Sequence, residues 1–229
     1  MLLAIDTSTR YAGVALIDGG QMLLTQCWFS KVNHTAALMP AILGVLERQG
    51  ISSVDLDGIA VALGPGGFSA LRVGISTAKG LCFAARKPLV AVGTLDLEAF
   101  PYLESGLPVC AILDAGRNEV AVAHYSADGT SVGDATICPP DELLGTISEP
   151  TLFCGESVTS WMGLIEEKLG SNALVVLPIL GTRVWSLARL GENKLHSGEV
   201  SDLTNLQPEY IRMPTIGQAK HRDWVPQQS

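Results

Sequence analysis

Two short segments of the chain carry residue types that could hold an anion or a metal ion. The first, Asp6-Thr7-Ser8-Thr9, directly follows the apolar run LLAI. A carboxylate at a strand end can orient a hydrated cation, while hydroxyls and turn amides face anionic oxygens. The same residues also form ordinary turns, because Asp, Ser and Thr side chains hydrogen-bond to their own backbone. Asp6, Thr7 and Ser8 are therefore candidate cofactor-binding residues, with a plain turn as the alternative.

The second segment is GPGGFSALRVG, residues 64–74, which follows an apolar strand and opens a helix. Backbone amides at such a turn can hold an anion, so Gly66 and Gly67 are candidates for that role. The segment lacks the Lys-Ser/Thr of a P-loop and the spacing of a dinucleotide-binding glycine motif. The alternative is a tight strand-to-helix turn that needs glycine at positive φ.

The sequence shows no arrangement typical of catalysis or metal binding. The four histidines form no pair at i+3 or i+4, the five cysteines are widely spaced, and no G-x-S-x-G elbow occurs. We interpret His34, which precedes a helix, as a cap or a surface residue. We therefore predict no catalytic residue, no metal site and no cofactor, and we interpret most of the cysteines as buried thiols of a reducing cytosol.

Composition narrows the class of protein further. The 229 residues are 47% hydrophobic and 17% charged, which excludes a disordered chain and predicts an apolar patch that meets another protein. No apolar run approaches membrane-spanning length and the N-terminus has no basic leader, so we expect a cytoplasmic protein. The net charge of −8 divides into −1 for residues 1–106 and −7 for residues 107–229. Without a basic stripe, a dedicated nucleic-acid binder is excluded.

The elements that must position these segments follow a definite order along the first hundred residues. Apolar periodicity and turn residues predict strands at 2–6, 11–18 and 21–29, a helix at 34–49, a strand at 58–63, a helix at 69–87 with Ser69 as N-cap, a strand at 88–93 and a third helix capped by Thr94. Three antiparallel strands continued by two parallel ones are typical of the ribonuclease H-like fold.

The second half of the chain begins like a copy of the first. VCAILD at 109–114 and EVAVAHYSADG at 119–129 repeat the pattern of LLAID and YAGVALIDGG, with a carboxylate at the end of the first strand. We therefore predict an α/β protein with the duplicated architecture of the actin, sugar-kinase and heat-shock ATPase superfamily. Its two halves, 1–105 and 106–229, would each hold a mixed sheet flanked by helices.

The helix that opens at the glycine-rich segment carries a row of small side chains that we interpret as an interface. Small residues every four positions let another helix approach closely. With larger neighbours, the predicted interface comprises Leu38, Ile42, Ala70, Leu71, Gly74, Ala78 and Cys82.

Several segments together resemble the TsaB (YeaZ) family. They are LLAIDTST at the N-terminus, Asn33-His34-Thr35, GPGGFSALRVGISTAKGL at 64–81, the stretch from Asp114 to Val120, and PEYIR at 208–212. The chain departs from the family pattern at Gly67, Ser69, Ala70, Gly116, Asn118 and Ala121. These departures leave the roles of those side chains open, while the segments occur in the family order along nearly the whole chain.

The resemblance implies a non-catalytic subunit of the bacterial machinery that adds threonylcarbamoyl to the adenosine beside the tRNA anticodon. It implies pairing with a TsaD-like catalytic paralogue, a TsaE-like ATPase in the complex, self-pairing when alone, contact with tRNA only through the complex, and no membrane. Two alternatives remain: an ATP-dependent kinase or transferase of the same superfamily, and a peptidase. The peptidase needs a nucleophile–base pair or a metal, which the sequence does not offer.

Overall fold

The computed structural model describes residues 1–30 and 34–210 and contains two five-stranded mixed sheets. The first sheet has the order β3-β2-β1-β4-β5. Its strands are β1 (Leu2–Asp6), β2 (Tyr11–Asp18), β3 (Gln21–Phe29), β4 (Gly58–Gly64) and β5 (Leu89–Gly93). β1 pairs antiparallel with β2 and parallel with β4. The predicted three-strand meander followed by two parallel strands is confirmed.

The second sheet repeats this arrangement with the order β10-β9-β6-β7-β8. Its strands are β6 (Val109–Gly116), β7 (Glu119–Tyr125), β8 (Ser131–Cys138), β9 (Thr151–Cys154) and β10 (Ala173–Val175). β8 was not expected from the sequence, because SVGDATIC has a mostly exposed, weakly alternating pattern. With β8 as the counterpart of β3, the predicted duplicated α/β fold, two mixed sheets flanked by helices, is confirmed.

Six helices flank the sheets in the described part of the chain. They are α1 (Thr35–Arg48), α2 (Phe68–Ala85), α3 (Thr94–Ala99), α4 (Pro140–Thr146), α5 (Val158–Leu169) and α6 (Thr182–Ser197).

The predicted N-caps of α2 and α3 are wrong by one or two residues. Gly67 and Gly93 are the N-caps of α2 and α3, because both glycines keep an extended backbone while Ser69 and Thr94 are already helical.

The two faces of the first sheet are covered by different helices. Alternate residues of a strand point to opposite faces, so Leu3 and Ile5 pack under α1 and α2, whereas Leu2 and Ala4 pack under α6. α6 follows the second sheet in the chain and returns to lie against the first. The division of the chain into halves at residue 105 stays a prediction, with α6 as the element that joins them.

Residues 198–210 form a strap that lies along the outside of β4, β5 and α2. The Ser201 amide donates to the Leu89 carbonyl at 2.7 Å, and the Glu209 amide donates to the Leu63 carbonyl at 2.9 Å. Lys79 of α2 donates to two strap carbonyls, those of Thr204 and Leu206. The strap therefore returns the chain to the start of α2.

The predicted PEYIR segment ends this strap. Tyr210 stacks on Phe68 with ring centroids 5.0 Å apart and accepts a hydrogen bond from Arg72 Nε at 2.9 Å. Residues 211 and 212 lie outside the described part of the chain.

The remaining expectations from composition concern thiols and membranes. All five cysteines lie in the described residues and are free thiols, with Cys82, Cys110 and Cys154 buried as predicted. Of the helices described, none is both long enough and apolar enough to cross a membrane.

Candidate functional site

The turns at the ends of β1, β4, β6 and β9 meet in a cleft between the two sheets. This cleft has a volume of about 480 Å³ and is lined by residues of both halves, among them Ser8, Thr9, Gly66, Gly67, Asp114 and Glu156. The structure thus brings together the two segments that the sequence singled out, although they lie almost 60 residues apart along the chain.

Asp6 lines a second cavity of about 400 Å³ together with Glu98, Glu156 and Arg183, and both of its carboxylate oxygens have partners within the protein. Its Oδ1 accepts hydrogen bonds from the Ser8 amide at 2.9 Å and the Ser8 hydroxyl at 2.6 Å. Its Oδ2 pairs with Arg183 Nε at 2.5 Å. The Thr7 hydroxyl donates to the Ala70 carbonyl at 2.7 Å. Because Asp6, Thr7 and Ser8 are buried, the hydrogen bonds of these candidates stabilise the turn.

The glycine-rich turn packs directly on the β1 turn. The Gly67 amide donates to the Ser8 carbonyl at 2.7 Å, and a Cβ at Gly66 would overlap that same carbonyl oxygen. Glycine is therefore required at 66 for close approach of two backbones, whereas the positive φ of the tight-turn alternative occurs at Gly64. Gly67 lies at the start of α2, but its amide cannot hold an anion there because it already donates to the Ser8 carbonyl.

Behind these turns lies a cluster of buried ionic groups centred on Arg183 of α6. The guanidinium contacts three carboxylates: Asp6 at 2.5 Å, Glu98 of α3 at 3.0 Å and Glu156 at 3.1 Å. It also donates to the Thr9 hydroxyl at 2.8 Å and the Tyr11 carbonyl at 2.5 Å. The cluster joins the first sheet, α3, α6 and the turn after β9.

The ionisation of this cluster is set by burial and by the neighbouring charges. Burial raises the pKa of the Glu98 carboxyl above its ordinary value, although the Arg183 charge opposes that change. Burial alone would lower the pKa of Arg183, but the Asp6 and Glu98 charges outweigh burial and raise it. Arg183 is therefore a permanent cation in the interior.

Two further polar residues line the open part of the cleft. His34 occupies the N-cap position of α1 without a side-chain capping bond, its Nδ1 is buried without a partner among the described residues, and burial lowers its pKa. Asp114 is exposed and accepts a hydrogen bond from the Gly116 amide at 2.9 Å. Of the predicted segment at 33–35, residue 33 lies outside the described residues.

The predicted interface row lies mostly in the core. Six of its members are buried, namely Leu38, Ile42, Leu71, Gly74, Ala78 and Cys82, and Ala70 is half-buried. The small residues of α2 let the helix pack closely on its own sheet, with Gly74 against the Thr7 side chain. These six residues are therefore core residues, which corrects their assignment to a partner surface.

The sequence pointed to neither Arg183 nor its partners Glu98 and Glu156. Arg183 is the second residue of α6 and resembles an ordinary surface cation in a short polar stretch. Glu98 does carry a signal, because it lies between Leu97 and Ala99 on a short helix and each of these three residues is buried. An acid in such a position indicates a buried partner of opposite charge.

Comparison with known proteins adds family information to this geometry. The TsaD family model, tRNA N6-adenosine threonylcarbamoyltransferase, matches residues 29–152. The tRNA threonylcarbamoyladenosine biosynthesis protein TsaB of Bacillus subtilis is 30% identical over 219 residues, 93% of this chain and 94% of the relative. The structure of YeaZ from Pseudomonas aeruginosa matches with a TM-score of 0.72 and 28% identity, covering 91% of this chain and 98% of that one.

The fold family also includes a protein with a bound nucleotide. The activator of 2-hydroxyisocaproyl-CoA dehydratase from Clostridium difficile, with bound ADPNP, shares the fold with a TM-score of 0.52 and 9% identity, covering 87% of this chain and 97% of that one. In this chain the Asp6 carboxylate and the Gly67 amide are not free to hold such a group. Both carboxylate oxygens are engaged, and the Gly67 amide at the start of α2 is bonded to Ser8.

Proposed function

Because this chain belongs to the TsaB family of tRNA threonylcarbamoyladenosine biosynthesis proteins, we propose that it is a non-catalytic subunit that pairs with a TsaD-like catalytic paralogue. The observation that carries the proposal is the exposure of large apolar side chains on the outward faces of α1 and α2. Leu43 of α1 is 51% exposed, Met39 is 39% exposed, and Phe83 of α2 is 80% exposed. Exposed apolar groups of this size are typical of protein–protein interfaces.

The outward face of α2 suits close packing against another helix. Ser69, Ser76 and Gly80 are exposed along it, and Val73 is half-buried between them. We define the pairing face as this stripe together with Met39, Leu43 and Phe83. A pair of helices that covers this face would form a four-helix bundle.

The position of this face within the family match supports a symmetric mode of pairing. The TsaD model matches residues 29–152, a range that contains both α1 and α2. Two related chains that each present such helices can pair about an approximate two-fold axis, and two copies of this chain can pair in the same way. We propose self-pairing of the chain when a TsaD-like partner is absent.

The internal pairing of the Asp6 turn supports a role without catalysis. Asp6, Thr7 and Ser8 are buried and hydrogen-bonded within the protein. In the described residues no cluster of three or more His, Cys, Asp or Glu side chains is arranged to hold a metal ion. In this proposal the TsaD-like partner performs the transfer, a TsaE-like ATPase joins the complex, tRNA is bound by the complex, and all of them act in the cytoplasm.

The proposal is tested by co-purification with the TsaD-like protein of the same organism, followed by a tRNA modification assay with and without this chain. We expect a stable complex and modification that depends on the chain. Modification at the full rate by the TsaD-like protein alone, or robust peptidase or ATPase activity of this chain alone, would contradict the proposed role.

The pairing face is tested by replacing Leu43 with Glu and Phe83 with Asp in one variant. A buried, unpaired charge at a helix interface costs several kcal/mol, so we expect at least a hundredfold loss of affinity for the TsaD-like partner in sedimentation or titration experiments. Val132→Glu is the matched control, because Val132 is 55% exposed on β8, far from the pairing face along the chain. Equal loss of affinity in both variants, or in neither, would reject this face.

A further inference from the structure

The Arg183 side chain uses every hydrogen-bond donor that a guanidinium possesses. Nε donates to Asp6, Nη1 donates to Glu98 and Glu156, and Nη2 donates to Thr9 and the Tyr11 carbonyl. A guanidinium carries five N–H bonds in a planar fork, so no donor is left over. Such complete pairing is unusual for an arginine that comes from a different half of the chain than most of its partners.

The partners of Arg183 come from both sides of the cleft between the two sheets. Asp6 and Tyr11 belong to the β1–β2 hairpin of the first sheet. Glu156 belongs to the turn between β9 and α5 of the second sheet, and it also accepts a hydrogen bond from Thr9. One buried side chain therefore ties the Asp6 turn of the first sheet to the β9 turn of the second.

The charge count of the cluster explains why a cation is needed at this place. Three carboxylates converge on one point, two of them, Asp6 and Glu98, almost completely buried. A buried carboxylate without a partner of opposite charge costs several kcal/mol, so the group needs a cation beside it. In this chain the positive charge beside the three carboxylates is the guanidinium of Arg183, which belongs to α6.

We propose that Arg183 is a built-in cation that neutralises the buried carboxylates of Asp6 and Glu98, and that it locks the two sheets together across the cleft. The Asp6 carboxylate is then occupied by the chain's own cation and is not free to hold magnesium beside a nucleotide. This inference is independent of pairing with a TsaD-like protein, because the cluster lies within one chain.

Chemical rescue tests this proposal directly. Arg183→Ala removes the cation and leaves a space of guanidinium shape between three carboxylates. We expect the melting temperature of this variant to fall by at least 5 °C and to rise again, in a saturable manner, with millimolar methylguanidinium. Ethylammonium at the same concentration carries the same charge without the planar fork and should restore less.

Arg189→Ala is the matched control, because Arg189 lies on the same helix and donates to the Gly20 carbonyl instead of an ionic cluster. We expect a melting temperature within about 2 °C of the unmodified chain, as for most surface changes, and no response to methylguanidinium. An Arg183→Ala variant as stable as this control, or one that methylguanidinium does not stabilise, would overturn the proposal.

Nucleotide titration provides the second measurement. With magnesium and ADPNP, calorimetry of the unmodified chain should show no binding at millimolar nucleotide. Binding in the micromolar range would overturn the proposed exclusion even if the stability results were as expected. Failure of the TsaD pairing experiment leaves both measurements unaffected, so the two proposals fail separately.

A milder variant keeps the test decisive if Arg183→Ala does not fold. Arg183→Lys retains the charge but offers one donor group in place of three. We expect Arg183→Lys to lower the melting temperature clearly and Arg189→Lys to leave it unchanged. Equal melting temperatures for the two lysine variants would show that the paired fork does not lock the cleft.

Discussion

At the scale of single residues, Cys82 shows how burial controls the chemistry of a side chain. Its thiol lies on the inner face of α2, is 1% exposed and donates to the Pro88 carbonyl at 3.5 Å. Burial raises the pKa of the Cys82 thiol from 9.0 to about 12. The thiol therefore stays neutral in the folded protein at pH values where it ionises in the unfolded chain.

This difference predicts a pH dependence of stability with a definite sign. Between pH 9 and about 12 the unfolded chain loses a proton that the folded chain keeps, so the Cys82 contribution to the free energy of unfolding falls as pH rises. Each pH unit in that window costs about 1.4 kcal/mol. Urea unfolding of the unmodified chain and of Cys82→Ala at pH 8 to 10 measures it. The difference in free energy of unfolding between the two proteins should shrink above pH 9. Parallel curves of that free energy against pH would contradict this account.

The residues of the cleft show what local sequence could and could not predict. The Asp6 turn and the glycine-rich turn were found from their residue types, and they do meet. The ion pair that occupies the Asp6 carboxylate is not predictable from local sequence. Asp6 pairs with Arg183, 177 residues away, and no local pattern connects the two. A pairing of that kind depends on where α6 returns in the fold, which periodicity alone does not specify.

At the scale of elements, the contact between α2 and the β1 turn depends on the absence of a side chain at Gly74. A Cβ there would overlap the Thr7 hydroxyl, which is held by its hydrogen bond to the Ala70 carbonyl. At Gly80 of the same helix a Cβ would meet no described atom within 4 Å. The two glycines therefore serve different purposes in one helix.

We expect opposite results from the two alanine variants. Gly74→Ala should lower the free energy of unfolding by about 1–3 kcal/mol, because it overpacks the turn. Gly80→Ala should raise it by about 0.5–1 kcal/mol, because alanine favours the helix and fits freely. Chemical denaturation with circular dichroism measures both. Equal effects of the same sign would show that the β1 turn shifts to accommodate a Cβ at residue 74 without loss of stability.

Element order was predictable because β1, β2, β4 and β5 of the first sheet are largely apolar runs and the helices have clear periodicity. β8 was missed because half of its pattern faces solvent, and the helix caps were misplaced because Ser69 and Thr94 have favourable residue types one or two positions too late. The inward row of α2 was assigned to a partner because small residues suit a neighbouring helix and a neighbouring sheet equally well.

At the scale of the whole molecule, the net charge of −8 limits what the chain can bind by itself. Residues 107–229 carry eight basic and fifteen acidic side chains, a net charge of −7. Phosphate contacts supply most of the affinity of proteins for nucleic acid. An acidic surface therefore repels a tRNA backbone at low ionic strength.

We accordingly expect no retention of tRNA by the isolated chain in filter-binding experiments at about 50 mM salt and up to tens of micromolar protein, below the usual range of non-specific affinity. The complex with the TsaD-like partner should retain tRNA, with affinity that falls as salt increases. Tight, salt-sensitive binding by the isolated chain would contradict this expectation and would reassign part of the tRNA surface to it.

The return of α6 to the first sheet has a consequence for the order in which the protein is made. Val184, Leu187 and Ala188 cover the face of the sheet that Leu2 and Ile17 present. The sheet's last strand ends at residue 93 and α6 ends at residue 197, and at typical rates of translation the intervening residues take about 5–20 s to synthesise. During that interval the growing chain carries an uncovered apolar face, and surface of that kind is prone to aggregation.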